Sequence, residues 1–306
     1  MAIDRSTVIT GPAVVTYGGQ TFHTKGDIDV GVNRETFEVV TGVHGKIDER
    51  NADFEAEISF DPAGEWEALN VLFPHGTSDF GASIFGSSDS PLVIKSVDGK
   101  TYTFHAAAVT QIPQIRASAV ETLIGQVTFG AIRKNNTAWS AADSFLTIAS
   151  ATFSDTTMDP SNIITQPYSA AWGSSPWDSF ETEDGFTIDF DLSLDDIRTD
   201  SDGIIDKRFG GLAVNARCVP LGVTDAQILT AMRMQGSGAA RGGSLNTNSN
   251  DLVVSGTGVT ITVKNAQMKT AGYRYGATVI RNGEVAFVAT RGFTAGVADP
   301  LFTVGT

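Results

Sequence analysis

The chain has 306 residues, 41% of them apolar, and a formal net charge of −14. Its Lys and Arg are not clustered as phosphate neutralisation requires, so tight nucleic-acid binding is disfavoured. One cysteine, Cys218, rules out an intramolecular disulfide, and no run of about 18 apolar residues offers a membrane-spanning helix.

In chain order, period-2 alternation predicts strands at 12–17, 27–32, 53–60, 92–95, 101–107 and 126–132. A helix is expected over 61–73, where Asp61 precedes Pro62 and Trp66, Leu69 and Phe73 fall at i, i+3 and i+7. Residues 151–167 are rich in turn formers and read as a linker. Strands follow at 168–172, 186–194, 252–255, 259–266 and 284–290. A second helix is expected at 224–233, with Thr224 as cap and Ile228, Leu229 and Met232 on one stripe. The 32 glycines and abundant Ser and Thr suit such a strand-and-turn chain. Cys218 falls at an apolar strand position and reads as a small core residue. The N-terminal Met-Ala-Ile-Asp-Arg-Ser-Thr lacks a charged segment followed by an apolar one, so no signal peptide is read and assembly in a cytoplasm is expected.

The chain also repeats itself. Gly45 to Pro62 aligns without a gap on Gly203 to Pro220, an offset of 158 residues, with Gly, Ile, Asp, Arg, Ala and Pro in common. Gly99–Phe104 meets Gly258–Val263, Gly125–Phe129 meets Gly283–Phe287, and Phe145–Ile148 meets Leu301–Val304. A unit of about 150 residues is a whole domain rather than a solenoid repeat. The expected fold is therefore mainly β: two copies of a β-sandwich or flattened barrel, 1–150 and 168–306, each with one packed α-helix.

One segment in each copy exceeds an ordinary hairpin loop of about 2–5 residues. Residues 34–50 and 195–208 each connect two strands and mix apolar residues with charges. Phe37, Val39 and Val43 in the first, and Ile197 and Ile204 in the second, need another surface to cover them. Each segment is read as an arm docking on a neighbouring subunit. Asp48 and Arg50 recur as Asp206 and Arg208 and are read as arm-anchoring ion pairs or contacts between rings.

This pattern resembles the tail tube proteins (major tail proteins) of tailed bacteriophages, and its duplication resembles siphophage tubes in which one chain supplies two tube domains. The features carrying the resemblance are the duplication, the Gly-x-Ile-Asp-[Glu/Lys]-Arg arm ends (Gly45–Arg50, Gly203–Arg208) and the strand–helix order. The resemblance implies a structural virion protein without enzymatic activity or cofactor, assembled in the host cytoplasm and located in the virion tail. It implies rings of six domains, built from three chains, stacked into a hollow tube through which DNA passes without stable binding. Its implied partners are other copies of itself, a tape measure protein, a tail terminator and tail tip proteins, with no membrane.

A tube needs a polar bore that does not hold phosphate. The faces opposite the apolar strand positions are the candidates: Asp27 and Asp29; Asp53, Glu55 and Glu57; Thr187, Asp189 and Asp191. Their counterparts Asn215 and Arg217 make the second copy less acidic. The alternative in each case is a plain solvated sheet face.

Other constellations are weak. His23, His44, His75 and His105 show no metal-ligand spacing, so no metal is expected. Gly236–Gly243 follows a helix and lacks a Gly-Lys-[Ser/Thr] ending, so it reads as a loop rather than a phosphate cradle. Pairs such as Glu55/Glu57 or Asp189/Asp191 sit two apart on one strand, which suits a polar face better than a hydrolase's opposed carboxylates. A tandem β-sandwich adhesin or carbohydrate-binding module is the alternative function; it wants exposed aromatics, for which Trp172 and Trp177 are the candidates.

Overall fold

The computed structural model describes residues 13–63, 70–74, 79–86, 90–118, 124–135, 145–153, 168–200, 202–232, 241, 250–256, 259–275, 280–294 and 297–305. The first half contains β1 (Ala13–Tyr17), β2 (Gln20–Phe22), β3 (Thr24–Thr41), β4 (Gly45–Pro62), β5 (Leu92–Ser96), β6 (Lys100–Phe104), β7 (Ala106–Gln111), β8 (Ile115–Ala117), β9 (Val127–Ile132) and β10 (Leu146–Ser150). The second contains β11 (Ser169–Trp172), β12 (Glu181–Thr199), β13 (Gly203–Leu221), the helix α1 (Asp225–Ala231), β14 (Asn250–Gly256), β15 (Val259–Tyr275), β16 (Ile280–Val288), β17 (Phe293–Thr294), β18 (Val297–Ala298) and β19 (Phe302–Gly305).

The chain is mainly β, as the alternation predicts. In the first half a sheet ordered β10-β6-β5-β1-β2 faces a sheet ordered β3-β4-β9-β7. Tyr17 on the first meets Phe129 on the second edge-on at 4.7 Å, and Phe129 stacks on Phe60 at 5.9 Å. The second half pairs β11 with β14, β14 with β15 and β15 with β19, and separately β12 with β13, β13 with β16 and β16 with β15. That follows the first half's scheme, except that β2 is matched only by an isolated bridge between Ala170 and Phe180. The long β15 spans what β6 and β7 supply separately, and its bend at Asn265 (φ 45°) stands near the break at His105.

The registers agree more closely than the topology alone requires. Ile28 faces Phe60, Val30 faces Ile58 and Phe37 faces Arg50; 158 residues on, Phe186 faces Cys218, Ile188 faces Ala216 and Asp195 faces Arg208. All three register shifts in each hairpin fall at the same offset positions. Ile58 opposite Phe129 and Ala216 opposite Phe287 continue the match into the third strand.

The long hairpins correct one expectation. Residues 34–50 and 195–208 are not loops: the strands run on through them, β3 to Thr41 and β4 from Gly45, β12 to Thr199 and β13 from Gly203. Each β3 or β4 strand is 18 residues, about 60 Å of extended chain. Thr, Val, Ile and Phe throughout these segments favour this conformation, and glycine closes both turns at positive φ (Gly45 at 69°, Gly203 at 68°).

The helix expected at 224–233 is present as α1, with Thr224 capping it and Gln227 completing a capping box. The helix expected at 61–73 is not matched at its start, because Asp61 and Pro62 end β4; residues 64–69, with Trp66 and Leu69, lie outside the described residues, and Asn70–Leu72 forms a 3-10 turn. Much of the proposed linker, residues 154–167, also lies outside them, as do His75 and most of 236–243. Cys218 is buried, and burial pushes its thiol up to about 12.

The halves share one core. Phe73 packs between Phe190 and Phe302 of the second half, at 5.4 and 5.9 Å. Phe129 and Phe287 occupy equivalent, fully buried positions. Phe129→Ala and Phe287→Ala are each expected to destabilise the fold by about 3–5 kcal/mol, measured by urea unfolding.

Candidate assembly interface

Besides the shared core, two contacts among the described residues join the second half to the first. The first continues a sheet. β8 pairs antiparallel with β12, Ile115 opposite Ile188 and Ala117 opposite Phe186, so a first-half strand closes the edge of the second-half sheet. Gly185, at φ 83°, permits the approach: a Cβ there would lie 1.9 Å from the Ala117 carbonyl oxygen.

The second contact is the arm formed by β12 and β13. Its β13 strand is flanked by residues 81–84 of the first half through backbone hydrogen bonds. Gly81 N donates to Phe209 O at 2.8 Å, Phe209 N to Ala82 O at 2.8 Å, and Ile84 N to Lys207 O at 3.0 Å. Ile204 is buried among Phe85, Ala106, Ala108 and Ile132. Beside it the Asp53 carboxylate, only 4% exposed, accepts from Ile204 N at 2.8 Å and from Phe54 N at 2.8 Å. Gly203 lies against this carboxylate; a Cβ would come within 2.5 Å of it.

Charge completes the clamp. Lys207, 8% exposed, reaches Glu55 at 2.7 Å and Asp196 at 2.9 Å. Burial works against the ammonium, but hydrogen bonds to Asp196 and Glu55 outweigh it and hold its pKa above the ordinary lysine value. Arg133 meets Asp202 at 2.7 Å, Ser83 Oγ donates to Asp206 at 2.6 Å, and Arg198 reaches Glu35 on the first arm at 2.8 Å.

These contacts revise the predicted sites. Asp53 is buried under the second arm rather than lying on an open polar face, and Glu55 is engaged by Lys207. Ile204, Asp206 and Arg208, expected to meet another subunit, dock on the first half of their own chain. Ile197 remains 40% exposed. The recurring pairs do form, Arg50 with Asp48 at 2.9 Å and Arg208 with Asp206 at 2.7 Å.

The first arm stands differently. Phe37 is 51% exposed and Val43 85%, Val40 and Ile47 are exposed as well, and Val39 is half-buried. Its polar face is held internally, Lys46 bonding Glu38 at 2.8 Å and Glu49 at 2.9 Å. Glu49 also accepts from Thr36, and the bonds from Thr36 and Lys46 hold its carboxyl below the ordinary range.

Of the remaining polar-face candidates, Asp27, Asp29, Glu57 and Asp191 are exposed. Asp189 is bound by Arg217 at 2.6 Å and accepts from Gln114, while Thr187 and Asn215 are half-buried. Arg217, raised above its ordinary pKa chiefly by its hydrogen bond to Asp189, neutralises the second half's face. Among the described residues no group of three His, Cys, Asp or Glu could hold a metal, and no helix is long and apolar enough to cross a membrane. Trp172 and Trp177 are buried, 5% and 4% exposed, so neither offers a stacking face.

Lys207, Arg133, Ser83 and Phe85 went unread in the sequence. Their partners across the two halves are far away in the chain, 69 residues for Arg133 with Asp202 and 123 for Ser83 with Asp206, and no local pattern marks them. The unequal substitutions between aligned copies, Lys207 for Glu49 and Ile204 for Lys46, were the available signal. Compared with known proteins, the chain matches no family model and no curated sequence.

Lys207→Met would leave Glu55 and Asp196 facing each other without their cation and is expected to cost about 3 kcal/mol, read as a lower urea midpoint. Because the folded pKa of Lys207 is raised, its contribution is complete below the ordinary lysine value and is lost as pH rises through the higher folded value. Stability from the clamp should therefore hold through neutral pH and fall only in strongly alkaline solution. An unfolding series against pH should lose this alkaline component in Lys207→Met.

Proposed function

We propose that this chain is the repeating subunit of a hollow tube of the tailed-phage tail type, a structural virion protein with two tube domains arising from a tandem duplication. The common pairing scheme and the constant 158-residue offset of the hairpin registers support the duplication.

One observation carries the functional reading: the second half's edge and arm are covered by the first half, while the first half's equivalents are open. Ile188 is fully buried on the stretch of β12 that pairs with β8, whereas its counterpart Val30 is 46% exposed and the neighbouring Val32 51%. An open edge with apolar side chains invites pairing with another chain. Because the open surfaces and their complements lie on different halves, the association is head to tail and must close into a ring or propagate. Three chains would close the six-domain ring that the resemblance implies.

In this reading the face bearing Asp27, Asp29 and Glu57 turns towards the bore. Its carboxylates act over about 8 Å at physiological salt. They keep DNA phosphates from adsorbing and do not drive transport. Asp189, neutralised by Arg217, contributes little, so the lining is acidic mainly in the first half.

Negative-stain microscopy of the purified chain is expected to show rings or tubes; a monomer persisting at high concentration would overturn the reading. Asp27→Lys, Asp29→Lys and Glu57→Lys together should leave assembly intact but impair DNA delivery, and unchanged infectivity of virions carrying them would remove the bore assignment.

A further inference from the structure

The registers supply a residue map between the two halves. Adding 158 carries every paired position of β3 and β4 onto β12 and β13. Val109 faces Phe129 where Met268 faces Phe287, so the offset between β7 and β15 is 159. The second arm's receptor on the first half therefore has a definable counterpart on the second half.

That counterpart has changed in step with the arms. The second arm inserts Ile204 among Ala106, Ala108 and Ile132. The equivalents of those three are Asn265, Gln267 and Thr290, where Gln267 donates to Thr290 and Thr290 to the Asn265 carbonyl. The first arm's equivalent of Ile204 is Lys46. An apolar plug facing an apolar pocket has thus become a polar side chain facing a polar patch. The charge contact changes in the same way. Lys207 meets Glu55, but its equivalent Glu49 would meet Ala213, an exposed position without charge. Asp53, whose carboxylate clamps the second arm's turn, becomes Gly211.

Exchanging the partners is unfavourable. On a first-half receptor the first arm would bring Glu49 against Glu55 and drive the Lys46 ammonium into the pocket that holds Ile204. Like charges in contact reject a partner, and a buried unpaired charge is strongly disfavoured. A second-half receptor replaces Glu55 by Ala213 and the apolar pocket by a polar patch, and Asp191, paired with Ala213, is a carboxylate that the docked Glu49 would approach less closely than it would Glu55.

We propose that the exposed first arm docks on the second half of another copy of this chain, centred on Ala213 and the Asn265–Gln267–Thr290 patch, and that the divergence of the two arms prevents halves of the same kind from pairing. The inference rests on the head-to-tail reading above and identifies its partner surface. Arm chemistry then fixes an alternating order of halves, and one first arm per chain is matched by one receptor on a second half.

The test is a charge cycle at the predicted contact. Ala213→Glu should weaken assembly about tenfold in concentration, equivalent to about 1.4 kcal/mol, and Glu49→Lys in the same chain should restore it, both read by sedimentation. Circular dichroism should be unchanged, because Ala213 is exposed. In Ala213→Lys protein, a carbodiimide should join the introduced amine to Glu49 of a second chain, identified by peptide mass spectrometry. Rings that form equally well in Ala213→Glu, or cross-links between chains that run from position 213 only to acidic residues outside the first arm, would overturn this inference and leave the tube reading standing; a link to Asp191 of the same chain, which faces position 213, is expected in either case. A wild-type chain that stays monomeric at every concentration would overturn both.

Discussion

Backbone hydrogen bonds at sheet edges govern this molecule. A strand whose N–H and C=O groups lack partners must find a strand, a loop or water. The second half has this requirement met within the chain. β8 closes the edge of β12, and residues 81–84 run along β13. The first half has matching strands in the same registers, but among the described residues no strand pairs with the outer side of β3, and its arm stays exposed. The asymmetry between two nearly superimposable pairing schemes is what gives the molecule a direction.

Once the edges are set, the buried charges have a role. Asp53 and Lys207 lie where one half's arm crosses the other's sheet, and each is satisfied by groups from across the interface or beside it. Buried ion pairs add little net stability compared with apolar packing, but they punish misalignment severely. A clamp of Asp53 on a glycine turn, with Lys207 between two carboxylates, therefore acts chiefly to fix register. Ile204 and the Phe73–Phe190–Phe302 cluster supply the apolar burial that holds the halves together.

In the proposed duplication, divergence of the two copies accounts for related surfaces that are not interchangeable. The repeat keeps what the fold needs: bulge positions, glycine turns and the buried ring at 129 and 287. It varies what contact specificity needs, at 46 and 204, 49 and 207, 53 and 211, and 55 and 213. In the proposed ring this variation distinguishes the contact inside a chain from the contact between chains.

The amino-acid sequence by itself determined the β class, the strand positions, the 158-residue repeat and the capped helix at Thr224. Each of these rests on local alternation, capping or self-similarity, which a linear reading captures. It also marked the arms as unusual, since Phe37, Val43 and Ile197 stand among charges with no local core to enter. Only the tertiary structure decided that those arms are continuous strands, that Asp53 and Glu55 are clamps rather than an open acidic wall, and that Arg217 neutralises Asp189. Whether a carboxylate faces water or a cation depends on groups far away in the chain that folding brings within about 3 Å. Alternation along a strand tells the two faces apart and carries no information on what lies against either.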